Sequence, residues 1–169
     1  MNVGPGASRG ANPGRPSEGD PVPAVRQEHS VPDAIRSLSP MADPGYVDLF
    51  TMTSGVPGRS PEQWARAMFE DVLGGRAQFV WRVLMGLRLK AAPDRVAGWR
   101  IAERGDDYVR LEASSWFLTA HLVVQADDEH VSFATFIRYD RPLAARVWPP
   151  MSKVHRKSAP GLLRQARMA

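Results

Sequence analysis

The sequence predicts an α+β domain built on an antiparallel β meander of about five to six strands. Short segments of alternating apolar and polar residues follow one another from residue 99 to residue 140. Helical patterns occur only before and after this run, so no crossover helix separates its strands. Strands connected in this way pair antiparallel, which places the chain in the α+β class.

The first 40 residues are predicted to be a disordered tail, followed by a single domain over residues 41–169. The tail holds twelve Gly or Pro residues and no aromatic residue. Such a segment buries too little apolar surface to offset the entropy of ordering it. Within it, residues 31–38 offer a short piece that can dock as a turn or an edge segment.

A first strand is predicted at Tyr46–Thr53, and a two-helix insertion is predicted after it. Ser60 and Gln63 have the spacing of a capping box, with a proline between them at the first helical position. The first helix is expected to end at Gly74-Gly75, and the second to run over about residues 76–87. Their apolar faces are Trp64, Met68 and Val72 in the first helix, and Val80, Val83, Leu84 and Leu87 in the second.

The last two strands predict a hairpin with a register that can be read residue by residue. A loop centred on Asp128-Glu129 places His121 opposite Phe136 on a face expected to point largely outward. The other face is nearly all apolar and should be core, because strand side chains alternate strictly. The pairs on this core face are Val124 with Phe133, Leu122 with Thr135, Ala120 with Ile137 and Leu118 with Tyr139.

The C-terminal segment from Pro142 to Ala169 has six Lys or Arg residues and no acidic residue. Its apolar residues have helical spacing, and the sheet has no other long element to cover it. We therefore predict a C-terminal helix, kinked by Pro149, Pro150 and Pro160, that packs on the sheet with its cations in solvent. The alternative is a basic amphipathic helix that binds an anionic membrane or a partner protein.

Composition narrows the chemistry. The chain has no Cys, which excludes disulfides, thiolate nucleophiles and thiolate metal ligands. It also has no HExxH spacing and no phosphate-binding loop, so neither a metal nor a cofactor is expected. The net charge is only +4, and because nonspecific nucleic-acid binding usually needs a clustered basic stripe the total decides little; no nucleic-acid partner is expected. No signal peptide or bilayer-length apolar run is present, and a cytoplasmic protein without integral membrane association is expected.

Six stretches carry a resemblance to a known family: GYVDLFTM, SPEQWARAMFE, MGLRL, GWRI, ATFIRYDRPLAARVW and VHRKSAPGLLR. Over about residues 31–169 the chain resembles the uncharacterised family named domain of unknown function 2867. Its order of elements is similar to the helix-grip layout of the START and polyketide-cyclase-like superfamily. The resemblance implies no established activity, but it implies a cavity between sheet and long helix that holds apolar ligands. The matching positions are Tyr139, Asp140, Trp148, Pro150 and His155.

The predicted function is binding of a small apolar ligand. His155 could orient a ligand or move protons near neutral pH, although a helix-terminal His bonded to backbone carbonyls is the alternative. The five tryptophans supply packing area in any core, and some of them could line a cavity. The predicted ligand-binding residues are Trp64, Trp99, Leu122, Thr135, Tyr139, Trp148 and His155, and no catalytic residue is assigned.

Two other functions stay open at this point. One is a polyketide-cyclase-like or isomerase-like enzyme that uses a His in its pocket. The other is a peripheral membrane or partner-binding module that uses the basic C-terminal helix.

Overall fold

The computed structural model of the chain describes residue 1 and residues 23–73 and 79–169. It confirms the α+β class, with an antiparallel sheet and a C-terminal helix packed on it. The strands are β1 (Arg26–Gln27), β2 (Tyr46–Thr53), β3 (Arg95–Val96), β4 (Trp99–Arg104), β5 (Tyr108–Ser114), β6 (Leu118–Ala126) and β7 (His130–Tyr139). The helices are α1 (Asp33–Arg36), α2 (Pro61–Arg66), the π-helical segments π1 (Ala67–Val72) and π2 (Val80–Leu84), and α3 (Ala144–Met168).

The sheet has seven strands in the order β1-β2-β7-β6-β5-β4-β3, and all neighbours are antiparallel. From β4 to β7 the strands form the predicted meander, and β2 joins it by pairing with β7. The two strands beyond the predicted five are β1 and β3, which close the two edges. Each has only two residues, which is too short to show a period-two pattern.

The predicted hairpin register is confirmed. Val124 pairs with Phe133 and Leu122 with Thr135, as the alternation required. The prediction that the opposite face points outward is wrong. His121 lies on that face and is buried, with its Nδ1 2.8 Å from Ser39 Oγ and its Nε2 3.5 Å from Glu112 Oε1. Burial lowers the pKa of the His121 imidazole.

A second, smaller core covers that face. Val31, Ile35 and Met41 from the N-terminal segment pack there against Leu49, Val123 and Phe136 of the sheet. The predicted docking of residues 31–38 is therefore seen, as the one-turn helix α1 and its flanks. Of the predicted tail, residues 2–22 lie outside the described residues. Residues 23–40 pack on the sheet through β1 and α1 instead of forming a tail.

The predicted capping box begins α2. Ser60 Oγ accepts a hydrogen bond from the Gln63 backbone N–H at 3.2 Å, and Gln63 Oε1 accepts one from the Ser60 N–H at 2.8 Å. Trp64 and Met68 face the core, as their spacing predicts. The predicted end at Gly74-Gly75 and the beginning of the second helix lie outside the described residues.

The apolar face predicted for the second helix is wrong in part. Val83 and Leu84 are exposed, whereas Trp81 and Met85 face the interior. The reason is that π2 is a π-helix: the Met85 N–H donates to the carbonyl of Val80, five residues back, at 3.3 Å. The wider turn rotates side chains away from the positions that an α-helical period assigns.

The basic C-terminal segment is one unbroken helix of 25 residues, although three prolines lie inside it. The prolines remove the donors that would bond the carbonyls of Ala145, Arg146 and Arg156. All three of these residues are exposed, so water can satisfy their carbonyls and the helix need not separate into pieces. Its apolar residues Leu162 and Leu163 are buried, as predicted for a helix that covers the sheet.

Candidate functional site

An apolar cavity of about 180 Å³ lies between the sheet, α3 and the two π-helical segments. Strands β4, β6 and β7 form its floor, α3 forms its roof, and π1 and π2 form one wall. Five aromatic rings contribute to the lining: Phe69, Trp81, Trp99, Phe133 and Trp148. An engineered apolar cavity of about 150 Å³ in another protein binds benzene, so this space suits a molecule with a single ring.

Four of these rings form a continuous series of edge-to-face contacts. The ring centroids of Trp99 and Trp81 are 5.4 Å apart, those of Trp81 and Phe69 are 6.0 Å apart, and those of Phe69 and Phe133 are 5.5 Å apart. Such pairs stabilise each other beyond the area they bury. The wall therefore has a defined shape into which another flat ring could pack.

The structure brings five of the seven predicted site residues together around the cavity: Trp99, Leu122, Thr135, Trp148 and His155. The other two lie elsewhere. Trp64 is fully buried in the core, where the guanidinium of Arg59 stands 4.9 Å from the ring centroid. Tyr139 packs on Gly45, at which an added Cβ would come within 2.8 Å of the tyrosine ring.

A polar cluster forms one end of the cavity, where α3 crosses β2 and β7. His155 Nε2 lies 3.2 Å from Asp48 Oδ2 and 3.1 Å from Thr135 Oγ1. The hydroxyl of Tyr46 donates to Asp48 Oδ2 at 2.6 Å. Asp48 and Thr135 are paired neighbours in β2 and β7, so the sheet register itself places both groups beneath the imidazole.

These contacts fix the roles of the ring nitrogens of His155. The Asp48 carboxylate is buried and accepts a hydrogen bond from Tyr46. Because carboxylate oxygens can only accept, His155 Nε2 carries the proton when the ring is neutral. Nδ1 then carries the lone pair, and no described residue forms a hydrogen bond to it. Burial and the neighbouring Asp48 raise the pKa of the Tyr46 phenol, which keeps that hydroxyl protonated as a donor. The cluster is therefore an Asp–His pair in which Asp48 holds Nε2 and the lone pair lies on Nδ1.

The sequence reasoning missed Asp48 and Tyr46, although a signal was present. In YVDLFTM, alternate residues on one face of the strand are Tyr46, Asp48, Phe50 and Met52, and the last two are apolar. An acidic residue on the core face of a strand requires a partner, because a buried unpaired charge is costly. That pattern marks Asp48 as a candidate for pairing with a His from the covering helix.

Three buried indole N–H groups lack a partner among the described residues. The indole N–H groups of Trp99 and Trp148 are buried, and no described residue accepts from them. The indole N–H of Trp64, outside the cavity, is also without one. A buried donor left unsatisfied costs roughly 1–3 kcal/mol, so native proteins usually provide an acceptor from protein, water or ligand.

The cavity opens to solvent along α3. Val154 lines it and is 60 % exposed, and Ser158, one helical turn further on, lines it and is exposed as well. On the facing wall Val80 is half-buried. A ligand could therefore enter between α3 and π2 without unfolding either element.

The described residues offer neither a metal site nor a membrane-spanning helix. No three His, Asp or Glu side chains there come together as a possible metal site. None of the described helices combines the length and apolarity needed to cross a membrane.

No protein-family model matches the chain, and neither the curated proteins nor the solved structures contain a significant match to it.

Proposed function

We propose that this chain binds a small apolar molecule in the cavity between its sheet and α3. The observation that carries the proposal is a cavity of about 180 Å³ with aromatic walls that lies between the sheet and α3 and opens to solvent. Sites that bind small molecules are typically concave and mostly apolar, with a few polar groups that orient the ligand. The aromatic walls of this cavity, with Thr135 and His155 in its lining, fit that description.

The position of the cavity agrees with what the helix-grip resemblance implies, since it lies between the sheet and the long covering helix. Membership of that superfamily and of the family named domain of unknown function 2867 stays a prediction. So do the cytoplasmic location and the assignment of residues 41–169 to a single helix-grip-like domain.

The proposal is tested by filling the cavity from α3. Ala159 is buried and lines the cavity, so a phenyl ring in Ala159→Phe would occupy the ligand's space. We expect toluene to raise the melting temperature of the wild type by several degrees at saturating concentration, because it binds only the folded state. Ala159→Phe should show little or no shift. Differential scanning calorimetry with and without toluene measures both.

The matched control is Ala145→Phe, which adds the same ring to the same helix at an exposed position. It should respond to toluene as the wild type does. Equal toluene shifts in Ala159→Phe and the wild type, or none in the wild type, would contradict binding in this cavity.

We also propose a second candidate function, an enzyme of the cyclase or isomerase type that moves protons with His155. The Asp48–His155 pair favours it. Asp48 would hold the neutral imidazole with Nδ1 as the base, and it would stabilise the imidazolium after proton transfer.

Deuterium exchange at the carbon next to the carbonyl of cyclohexanone reports this chemistry directly. If His155 is a general base, the wild type should accelerate exchange in D₂O and His155→Gln should lose roughly a hundredfold or more of that acceleration. His130→Gln changes an exposed His and should keep the full rate. Equal rates in the wild type and His155→Gln, followed by NMR, would eliminate this candidate.

The third candidate, a membrane-binding or partner-binding module, has less support. The buried residues of α3, among them Leu162 and Leu163, pack on the domain and are not available to a bilayer. The cations Lys153, Arg156 and Lys157 lie on its exposed side, as expected for the solvent face of a covering helix.

A further inference from the structure

A titratable side chain lies in the contact between the N-terminal strap, residues 23–41, and the outer face of the sheet, which is the face opposite α3. Ser39 Oγ of the strap lies 2.8 Å from Nδ1 of His121 in β6, and both residues are buried. Beside them Arg110 Nη1 of β5 donates to the carbonyl of Leu38 at 3.0 Å. The end of the strap nearest β2 in sequence is therefore held by an imidazole and a guanidinium.

The geometry of this contact suits a neutral imidazole. His121 Nε2 lies 3.5 Å from Glu112 Oε1, and a carboxylate oxygen can only accept, so Nε2 carries the proton of the neutral ring. Nδ1 then has the lone pair and accepts from the hydroxyl of Ser39. The same hydroxyl oxygen accepts from the N–H of Met41 at 3.4 Å. A second ring proton would occupy Nδ1 and remove the acceptor that Ser39 uses.

The charges around His121 are unfavourable for an imidazolium. Glu112 already pairs through Oε1 with Arg110 at 3.0 Å and through Oε2 with Arg100 of β4. Arg138 of β7 adds a third guanidinium near the ring. The strap itself offers no compensating charge among the described residues, because none of its ionisable side chains is hydrogen-bonded or ion-paired to His121. These side chains are Arg26, Glu28, His29, Asp33 and Arg36.

We propose that protonation of His121 releases the N-terminal strap from the sheet. An imidazolium at this position would be cut off from water and surrounded by three guanidinium groups that share one carboxylate. Release lets water reach the ring, and it uncovers an apolar surface formed by Leu49, Val123, Ala134 and Phe136. The proposal is independent of the ligand-binding function, because the cavity lies on the other face of the sheet.

The direction of the pH dependence follows from the pKa of His121. Burial lowers the pKa of the imidazole while the strap is docked, and contact with water returns it towards the ordinary value of 6.5. The released form therefore binds the proton more tightly. The contribution of neutral His121 to docking is fully present above about pH 6.5 and is lost as the pH falls below that value. The ratio of released to docked strap rises by up to about tenfold for each pH unit below 6.5 while the docked ring stays neutral.

Hydrogen exchange of backbone amides, measured by NMR on the full chain between pH 7.5 and pH 5.0, tests the proposal. The N–H of Glu28 donates to the carbonyl of Leu49 in β2, and the N–H of Arg36 donates within the one-turn helix α1. Both amides are protected only while the strap is docked, because a single helical turn is not stable alone. After correction for the intrinsic pH dependence of exchange, we expect their protection to fall about tenfold or more over this range. Protection of Val124 in the centre of β6 should change much less.

His121→Gln removes the titration and keeps an amide that can accept from Ser39. In this variant the protection of Glu28 and Arg36 should stay constant within about twofold from pH 7.5 to pH 5.0. His29→Gln is the matched control, because His29 is an exposed histidine of the same strap. It should show the same fall in protection as the wild type.

Three results would overturn the proposal. The first is constant protection of the strap amides in the wild type, and the second is an equal fall in protection in the wild type and His121→Gln. The third needs no variant: the imidazole resonances of wild-type His121 report its protonation directly. A charged imidazole at pH 7.5, with the strap amides still protected, would show that the docked strap tolerates the proton.

Discussion

We expect Val124→Asp to abolish cooperative folding of the domain. Val124 is fully buried on the helix-facing side of the sheet, where its neighbours in register are Phe133 and Val109. The charged residue in this row, Arg104 of β4, lies two strands away and already pairs with Glu62, so the new carboxylate would be buried without a partner at a cost of several kcal/mol. That cost is a large part of a typical domain stability of about 5–15 kcal/mol. Circular dichroism during urea unfolding measures the loss.

The matched control places the same charge on the other face of the neighbouring strand. Ser132 in β7 is half-buried and pairs with Gln125, so Ser132→Asp should cost little and unfold cooperatively. A stable Val124→Asp variant would mean that the helix-facing side of the sheet is hydrated, which would contradict the apolar core and the cavity in it.

The second large effect is expected from Leu162→Ala combined with Leu163→Ala. Both leucines lie on the buried face of α3, and Leu162 also lines the cavity. Truncation of a buried leucine to alanine typically costs about 2–5 kcal/mol, and the double variant should lose most of the stability of the domain. The measurement is the free energy of unfolding from urea titration.

Lys153→Gln combined with Lys157→Gln is the comparison on the exposed side of the same helix. It should change the free energy of unfolding by less than about 1 kcal/mol, because exposed charges contribute little. If the lysine pair were costly and the leucine pair harmless, α3 would not be the element that covers the sheet.

The sequence predicted the sheet better than any other part. From β4 to β7, apolar and polar residues largely alternate with period two, and a slip of one residue would have moved Leu122 and Val124 off the face that α3 covers. That penalty is strong enough to specify the register without knowledge of the rest of the fold. The helix over the sheet was predictable for a related reason, since the apolar face required a cover.

The burial of His121 could not be predicted in the same way. It depends on Val31, Ile35 and Met41, which are distant in sequence and lie in or next to a Gly- and Pro-rich segment with no periodic pattern. The π-helical form of residues 67–72 and 80–84 was also beyond reach, because propensities do not separate it from an α-helix. Without knowledge of the π-helical turn at residues 80–84, Trp81 could not be placed in the cavity wall.

The site was predictable only in part. An apolar face and a covering helix imply that Trp99, Leu122, Thr135, Trp148 and His155 can meet, and they do. To identify the partner of His155, one must know that β2 pairs with β7. That pairing joins residues about 90 positions apart and cannot be read from either strand alone. The sequence pattern of β2 therefore marks Asp48 as a residue that needs a partner, and the sheet order identifies His155 as that partner.

The central claim, that the aromatic cavity holds a small apolar molecule, is tested most directly by an isotope-filtered NOE spectrum of labelled protein with excess toluene. The claim predicts cross-peaks from the toluene ring protons to the indole protons of Trp99 and Trp148. Trp116 is 59 % exposed and outside the cavity lining, so it reports nonspecific surface contact. Cross-peaks to Trp116 alone, or to no tryptophan at all, would contradict the claim.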